Sequence, residues 1–184
     1  MTASAEVDDP LLSYQEFMEK LRRLTITAKS PDQTVRVTYG YSGSRVELGS
    51  RGTRGHTEET LSRQISAALE ASQHGYQRAI ALLFEQVTGE RPPAKEPDKD
   101  SPAAVYRDSL DAIAIETVSP RGLVKVGRSG VTGIRLIIRP RTLSLGTVPD
   151  EELMAEVNAA VRGAEEEYTR KFEVAKANSL RKDV

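Results

Sequence analysis

The chain runs twice through the same succession of patterns, and this constrains its fold more than anything else in the sequence. Apolar and polar residues alternate from Leu24 to Lys29, with Leu24, Ile26 and Ala28 on one face and Thr25, Thr27 and Lys29 on the other. Such alternation is the mark of a half-buried strand. Ser30-Pro31-Asp32-Gln33 then supplies turn chemistry, with proline preset for a central turn position. A second alternation (Val35, Val37, Tyr39) and a glycine turn (Gly40 to Gly43) follow, and then a third (Val46, Leu48). The whole pattern returns further along. Ile113-Ala114-Ile115 matches Leu24-Thr25-Ile26, Ser119-Pro120-Arg121-Gly122 matches the first turn, and Val124-Lys125-Val126 matches Val35-Arg36-Val37. Gly133-Ile134-Arg135-Leu136 matches Gly43-Ser44-Arg45-Val46. The small drift in spacing falls in turns, where insertions are tolerated.

Each set of strands leads into a long helical pattern. The first starts at Thr57-Glu58-Glu59, a hydroxyl cap with an acidic first turn. Its stripe is Leu61, Ile65, Ala68, Leu69, Ser72, Tyr76, Ile80 and Leu83, and it ends near Gly89. The second repeats it with Leu153, Val157, Ala159, Ala160 and Tyr168. Short helices are expected before each set of strands, from Pro10 to Arg23 behind an Asp9 cap, and around Ala103 to Leu110. The expected organisation is a disordered tail at 1–9, one unit at 10–89, a Pro-rich charged linker at 90–102 and a second unit at 103–184. The fold class is α+β: two repeated units, each a three-stranded antiparallel β-meander flanked by helices, paired as an intramolecular pseudo-dimer. The third strand region of the second unit, Gly133 to Arg139 and on to Gly146, is expected to be the longer.

At this point the residues resemble the YbaB/EbfC family of nucleoid-associated proteins. Ser119-Pro120-Arg121-Gly122-Leu123-Val124-Lys125-Val126 carries the likeness, with Asp150-Glu151-Glu152-Leu153 and Asn158-Ala159-Ala160 in the following helix. The first unit keeps Ser30-Pro31-Asp32 and Val35-Arg36-Val37 but has Gln33 where the family favours glycine. The resemblance implies a bacterial, cytoplasmic protein of the nucleoid whose protomers dimerise through their sheets, with helices projecting like tweezers. It also implies duplex DNA binding with little sequence preference, and no enzyme activity. Two units in one chain depart from the usual single-unit arrangement and free the copies to diverge.

Composition supplies limits. There are 26 Lys+Arg against 27 Asp+Glu, so no global charge drives the chain toward nucleic acid or an anionic membrane. With no cysteine there is no disulfide framework, thiol nucleophile or thiolate metal site. The N-terminus lacks a secretory pattern and no apolar run is long enough to span a bilayer, so a soluble intracellular protein is expected. His56 and His74 have no acid or histidine partner at a chemically useful spacing, and no metal, cofactor or catalytic residue is expected. Tyr76 and Tyr168 read as packing residues, and Glu165-Glu166-Glu167 as a solvated helix face.

Charge is nevertheless segregated. Thr117 to Pro149 holds no acid but six bases, whereas Asp150 to Val184 holds nine acids and six bases. Arg36 and Lys125 sit at matching places on second strands, and Arg45 and Arg135 on third strands, all opposite the apolar stripe. They are the first candidates for phosphate contacts, followed by Arg128, Arg139, Arg141, Arg51 and Arg54. The acid-free stretch makes the DNA site lean toward the second unit. The bland alternative is that these side chains solvate an outer sheet face. Gly49 to Gly55, with Arg51 and Arg54, opens onto a helix N-terminus that favours an anion, but lacks the lysine and hydroxyl of a P-loop. The rival function is a protein-interaction or assembly module on the same fold without DNA binding. Self-association through sheets or helices is expected under either.

Overall fold

A computed structural model describes residues 10–89, 102–130 and 133–181. The proposed N-terminal tail, the Asp9 cap and nearly all of the linker lie outside these residues. The turn after each first strand is built the same way. Ser30 Oγ accepts the Val35 N–H at 3.0 Å, and Ser119 Oγ accepts the Val124 N–H at 3.0 Å. Helix α1 (Pro10–Arg23) leads into strands β1 (Thr25–Lys29), β2 (Val35–Gly40) and β3 (Gly43–Leu48), then helix α2 (Glu58–Thr88). Helix α3 (Pro102–Asp111) leads into β4 (Ala114–Val118), β5 (Val124–Ser129) and β6 (Gly133–Ile138), then α4 (Asp150–Arg181).

The strands form two separate three-stranded antiparallel sheets, sheet A in the order β1-β2-β3 and sheet B in the order β4-β5-β6. β6 is six residues long, as β3 is, and not the longer strand expected. Pro140 lacks a ladder N–H and Arg141 takes φ +70°, so the chain turns away after Ile138. Helix α2 begins at a Thr57 capping box and stops at Gly89 in the left-handed conformation, as its sequence predicts.

Each long helix packs on both sheets. α2 covers β1 and β2 of sheet A and lies against β6 of sheet B, while α4 covers β4 and β5 of sheet B and lies against β3 of sheet A. The valines of β2 and β5 therefore meet Leu61, Ile65 and Leu69 of α2 and Leu153, Val157 and Val161 of α4 in one buried cluster. The shorter helices brace the distal halves of the long ones. Phe17 of α1 meets Phe84 of α2 edge-on at 6.3 Å, and Tyr106 of α3 meets Phe172 of α4 at 6.4 Å.

β3 and β6 are edge strands, yet their outer edges do not lie bare. Asn158 of α4 accepts the Val46 N–H at 2.8 Å and donates to the Val46 carbonyl at 3.0 Å. Ser66 of α2 accepts the Leu136 N–H at 2.9 Å, and Ser62 accepts that of Ile138 at 2.9 Å. Both serines donate their own proton back to the helix, to Ser62 O and Glu58 O, which frees an oxygen lone pair for the strand. The edge groups are thus satisfied from the other unit's helix, which blunts edge-to-edge addition.

Candidate nucleic-acid interface

Alternation places the charged residues. Val35, Val37 and Val46 turn inward, so Arg36 and Arg45 turn outward and are exposed. In sheet B Lys125 and Arg135 point outward by the same parity, against Val124, Val126 and Leu136 within. The four stand on two separate sheets and form no continuous sheet surface.

The two outer faces differ in chemistry. On sheet A, Lys29 lies directly across from Arg36, and Arg36 across from Glu47. Glu47 is engaged by Arg45, whose Nε lies 3.1 Å from its carboxylate. Lys29 and Arg36 form no ion pair with another described residue, and like charges directly opposite each other repel. Exposed Thr25 and Thr27 share this face, with Thr27 Oγ1 3.3 Å from Thr38 Oγ1. On sheet B, Lys125 is paired with Glu116 at 2.6 Å, and Arg135 lies across from Gly127. Val118 and Ile137 flank Lys125 in its row and are exposed.

Arg128 is not an outward phosphate candidate. It follows Val124 and Val126 at period two, so it enters the inner face of β5, is buried, and stacks 3.6 Å above the Tyr168 ring. Val131 and Thr132, between β5 and β6, lie outside the described residues. In sheet A the matching contact is Tyr39 edge-on to Tyr76 at 4.9 Å, so both helix tyrosines serve packing. Glu165 is no solvated residue either. It accepts the Ser44 N–H at 3.1 Å and the Ser44 hydroxyl at 2.5 Å. Burial raises its carboxyl above the ordinary range, with the Ser44 hydrogen bonds and the Arg128 and Arg162 charges acting against that.

The two arginine-bearing loops are occupied by the chain's own carboxylates. Asp150, in the first turn of α4, accepts the Thr53 N–H at 3.1 Å and the Thr53 hydroxyl at 2.7 Å inside the Gly49–Gly55 loop. A Cβ on Gly52 would collide with the Asp150 carboxylate. Glu58, in the first turn of α2, accepts the N–H groups of Leu143 at 2.9 Å and Ser144 at 3.2 Å. Hydrogen bonds from its own backbone amide, then from Leu143, Ser144 and Arg141, outweigh burial and hold the Glu58 carboxyl below the usual range. The anion that the glycine loop favours is therefore internal.

Two grooves border these loops, and neither carries a surplus of positive charge. The one along β6, about 910 Å³, sets Arg63, Arg135 and Arg141 against Glu58, Glu59 and Glu70. The one along β3, about 620 Å³, sets Arg45, Arg51 and Arg54 against Glu47, Asp150 and Glu151. Arg139 is exposed just beyond β6. Sequence reasoning missed Lys29 as a candidate, although its parity with Thr25 and Thr27 places it outward.

His56 joins the β1–β2 turn to the start of α2, with Nε2 3.0 Å from Thr34 Oγ1 and 3.8 Å from Asp32. Burial acts to raise the Asp32 carboxyl, but hydrogen bonds from Ser30 and Thr34 outweigh it and lower its pKa. The arrangement fastens a turn to a helix. Among the described residues no group of three His, Asp or Glu is placed to hold a metal ion, and no helix is long and apolar enough to cross a membrane. Comparison with known proteins finds no matching family model, no matching curated protein and no matching solved structure.

Proposed function

We propose that this chain is a non-catalytic protein that binds duplex DNA with little sequence preference through the outer face of sheet A. The observation that carries the reading is the Lys29–Arg36 pair. Two cations held directly opposite each other, with Glu47 already engaged by Arg45, leave a positive potential that an anion relieves. Thr25 and Thr27 add hydroxyl donors on the same flat face, and no large apolar side chain stands there to read bases. Phosphates match this chemistry, and phosphate contacts carry no sequence information. On this reading Lys29 and Arg36 make the main contacts, and Arg139 adds to them from beyond β6. Arg45, Arg51, Arg54, Lys125, Arg135 and Arg141 contribute less, because acids stand among them on both sheets.

The same reading makes the two units copies of one another, paired within the chain as a pseudo-dimer. Supporting it, Glu58 and Asp150 each enter the other unit's loop, and Ser66 and Asn158 each satisfy the other unit's edge strand.

Titrating binding to random duplex DNA against salt tests the function. Log affinity should fall linearly with log salt. The slope should shrink by about 0.9 for each phosphate that a variant no longer neutralises, so by nearly 2 in Lys29→Glu/Arg36→Glu. Lys125→Glu/Arg135→Glu should change it less. No binding at about 50 mM salt removes DNA as the ligand, and an unchanged slope in the sheet A variant removes sheet A as its site.

A further inference from the structure

We infer that the outer face of sheet B is a self-association surface, and that its partner is the same face of a second copy of this chain. The starting point is a difference between the two sheets. The row across sheet A reads Lys29, Arg36, Glu47, charged throughout. The corresponding row across sheet B reads Val118, Lys125, Ile137. Val118 is 59% exposed and Ile137 41%, on either side of the aliphatic stem of Lys125. A charged row suits water, whereas two exposed β-branched side chains flanking a lysine stem gain by being covered.

The register says what covers them. Sheet B's outward residues form three rows: Val118–Lys125–Ile137, Glu116–Gly127–Arg135 and Ala114–Ser129–Gly133. A two-fold axis running along β5 turns a second sheet face down and exchanges the β4 side with the β6 side. Val118 then lies over Ile137 of the second copy, and Ile137 over its Val118. Glu116 lies over the second copy's Arg135, and Arg135 over its Glu116. Ala114 lies over Gly133. Every off-axis position meets a complementary one, which is the requirement for an isologous interface. Glycine and serine on and beside the axis leave the centre flat. Lys125 is the one charged residue among those that meet their own copy, and its ammonium is drawn aside, 2.6 Å from Glu116. Sheets packed face to face sit about 10 Å apart with their strands nearly aligned, so the pairing survives their twist.

Three strands at the usual spacing offer roughly 14 Å by 18 Å, well below the area of a standard stable interface. The association is therefore weak and concentration-dependent. It leaves the outer face of sheet A free.

Sedimentation of the full chain, without DNA, from micromolar to near-millimolar concentration tests this. The weight-average mass should climb from one chain toward two. Val118→Lys/Ile137→Glu reproduces the charges that sheet A carries in its own row, so the fold should tolerate it, and the mass should stay at one chain. Glu116→Arg should weaken association, and adding Arg135→Glu should restore it by exchanging the charges across the axis. A mass of one chain at every concentration overturns the inference. So does a dimer that persists in Val118→Lys/Ile137→Glu, or a charge-exchanged double variant that associates no better than Glu116→Arg alone. Because no nucleic acid is present, failure here is distinct from failure of the DNA reading.

Discussion

Gln33 carries the chain from β1 to β2 with φ +62°, a conformation in which its Cβ crowds the following carbonyl. In the second unit the same turn position is Gly122, at φ +68°, where nothing stands within 4 Å of an added Cβ. Backbone demand at the two turns is the same, and only the first meets it with a side chain. The strain of a non-glycine residue there is about 1–2 kcal/mol, and glycine returns part of that as extra freedom of the unfolded chain. Gln33→Gly should therefore stabilise the protein by about 0.5–1 kcal/mol in denaturant unfolding, with the midpoint raised and the slope unchanged. The converse change, Gly122→Gln, should cost a similar amount. A neutral or destabilising Gln33→Gly would mean that the Gln33 side chain makes a compensating contact in solution.

At the scale of elements, the edges of β3 and β6 depend on side chains from helices that lie far away in sequence. Val46 is 2% exposed, so its N–H and carbonyl have no ready access to water when Asn158 is removed. Asn158→Ala strands both groups and should cost about 2–3 kcal/mol. Ser66→Ala strands only the Leu136 N–H and should cost about 1–2 kcal/mol. Amide exchange reads the mechanism directly: protection should fall at Val46 in the first variant and at Leu136 in the second, ahead of the rest of each strand. These contacts mark where sequence reading ends. Strand parity, the Ser-Pro turns, the Thr57 cap and the helix stripes are local, and local chemistry made them legible. Parity also contained the inward turn of Arg128, two residues beyond Val126, but its charge argued for the surface. Asp150 filling the glycine loop, Glu165 reaching Ser44 and Asn158 covering β3 join residues about a hundred positions apart. No period or spacing encodes such pairs, and the contrast between the two outer sheet faces appears only once the strand register is known.

For the whole molecule, the shared core decides how the chain unfolds. Val35, Val37, Leu61, Ile65 and Leu69 of one unit belong to the same buried cluster as Val126, Leu136, Leu153, Val157 and Val161 of the other. A single unit of about 80 residues is close to the size at which a lone core is marginal. Here each would also lose the helix that covers its third strand, leaving apolar side chains and ladder groups in water. Opening either half would expose the buried cluster it shares with the other, so unfolding should be one cooperative transition. Leu61 and Leu153, both fully buried and on different helices, provide the test. Truncating either to alanine should cost about 2–5 kcal/mol, and each should lower the one transition midpoint by roughly 5–15 °C rather than split it. Far-UV dichroism follows all helices, while near-UV dichroism follows the packed aromatic side chains, among them the Tyr39–Tyr76 and Arg128–Tyr168 contacts. All should melt together in the parent chain and in both variants. Two resolved midpoints in the parent chain or in either variant would mean that the two halves hold separate cores and that the contacts between them contribute little.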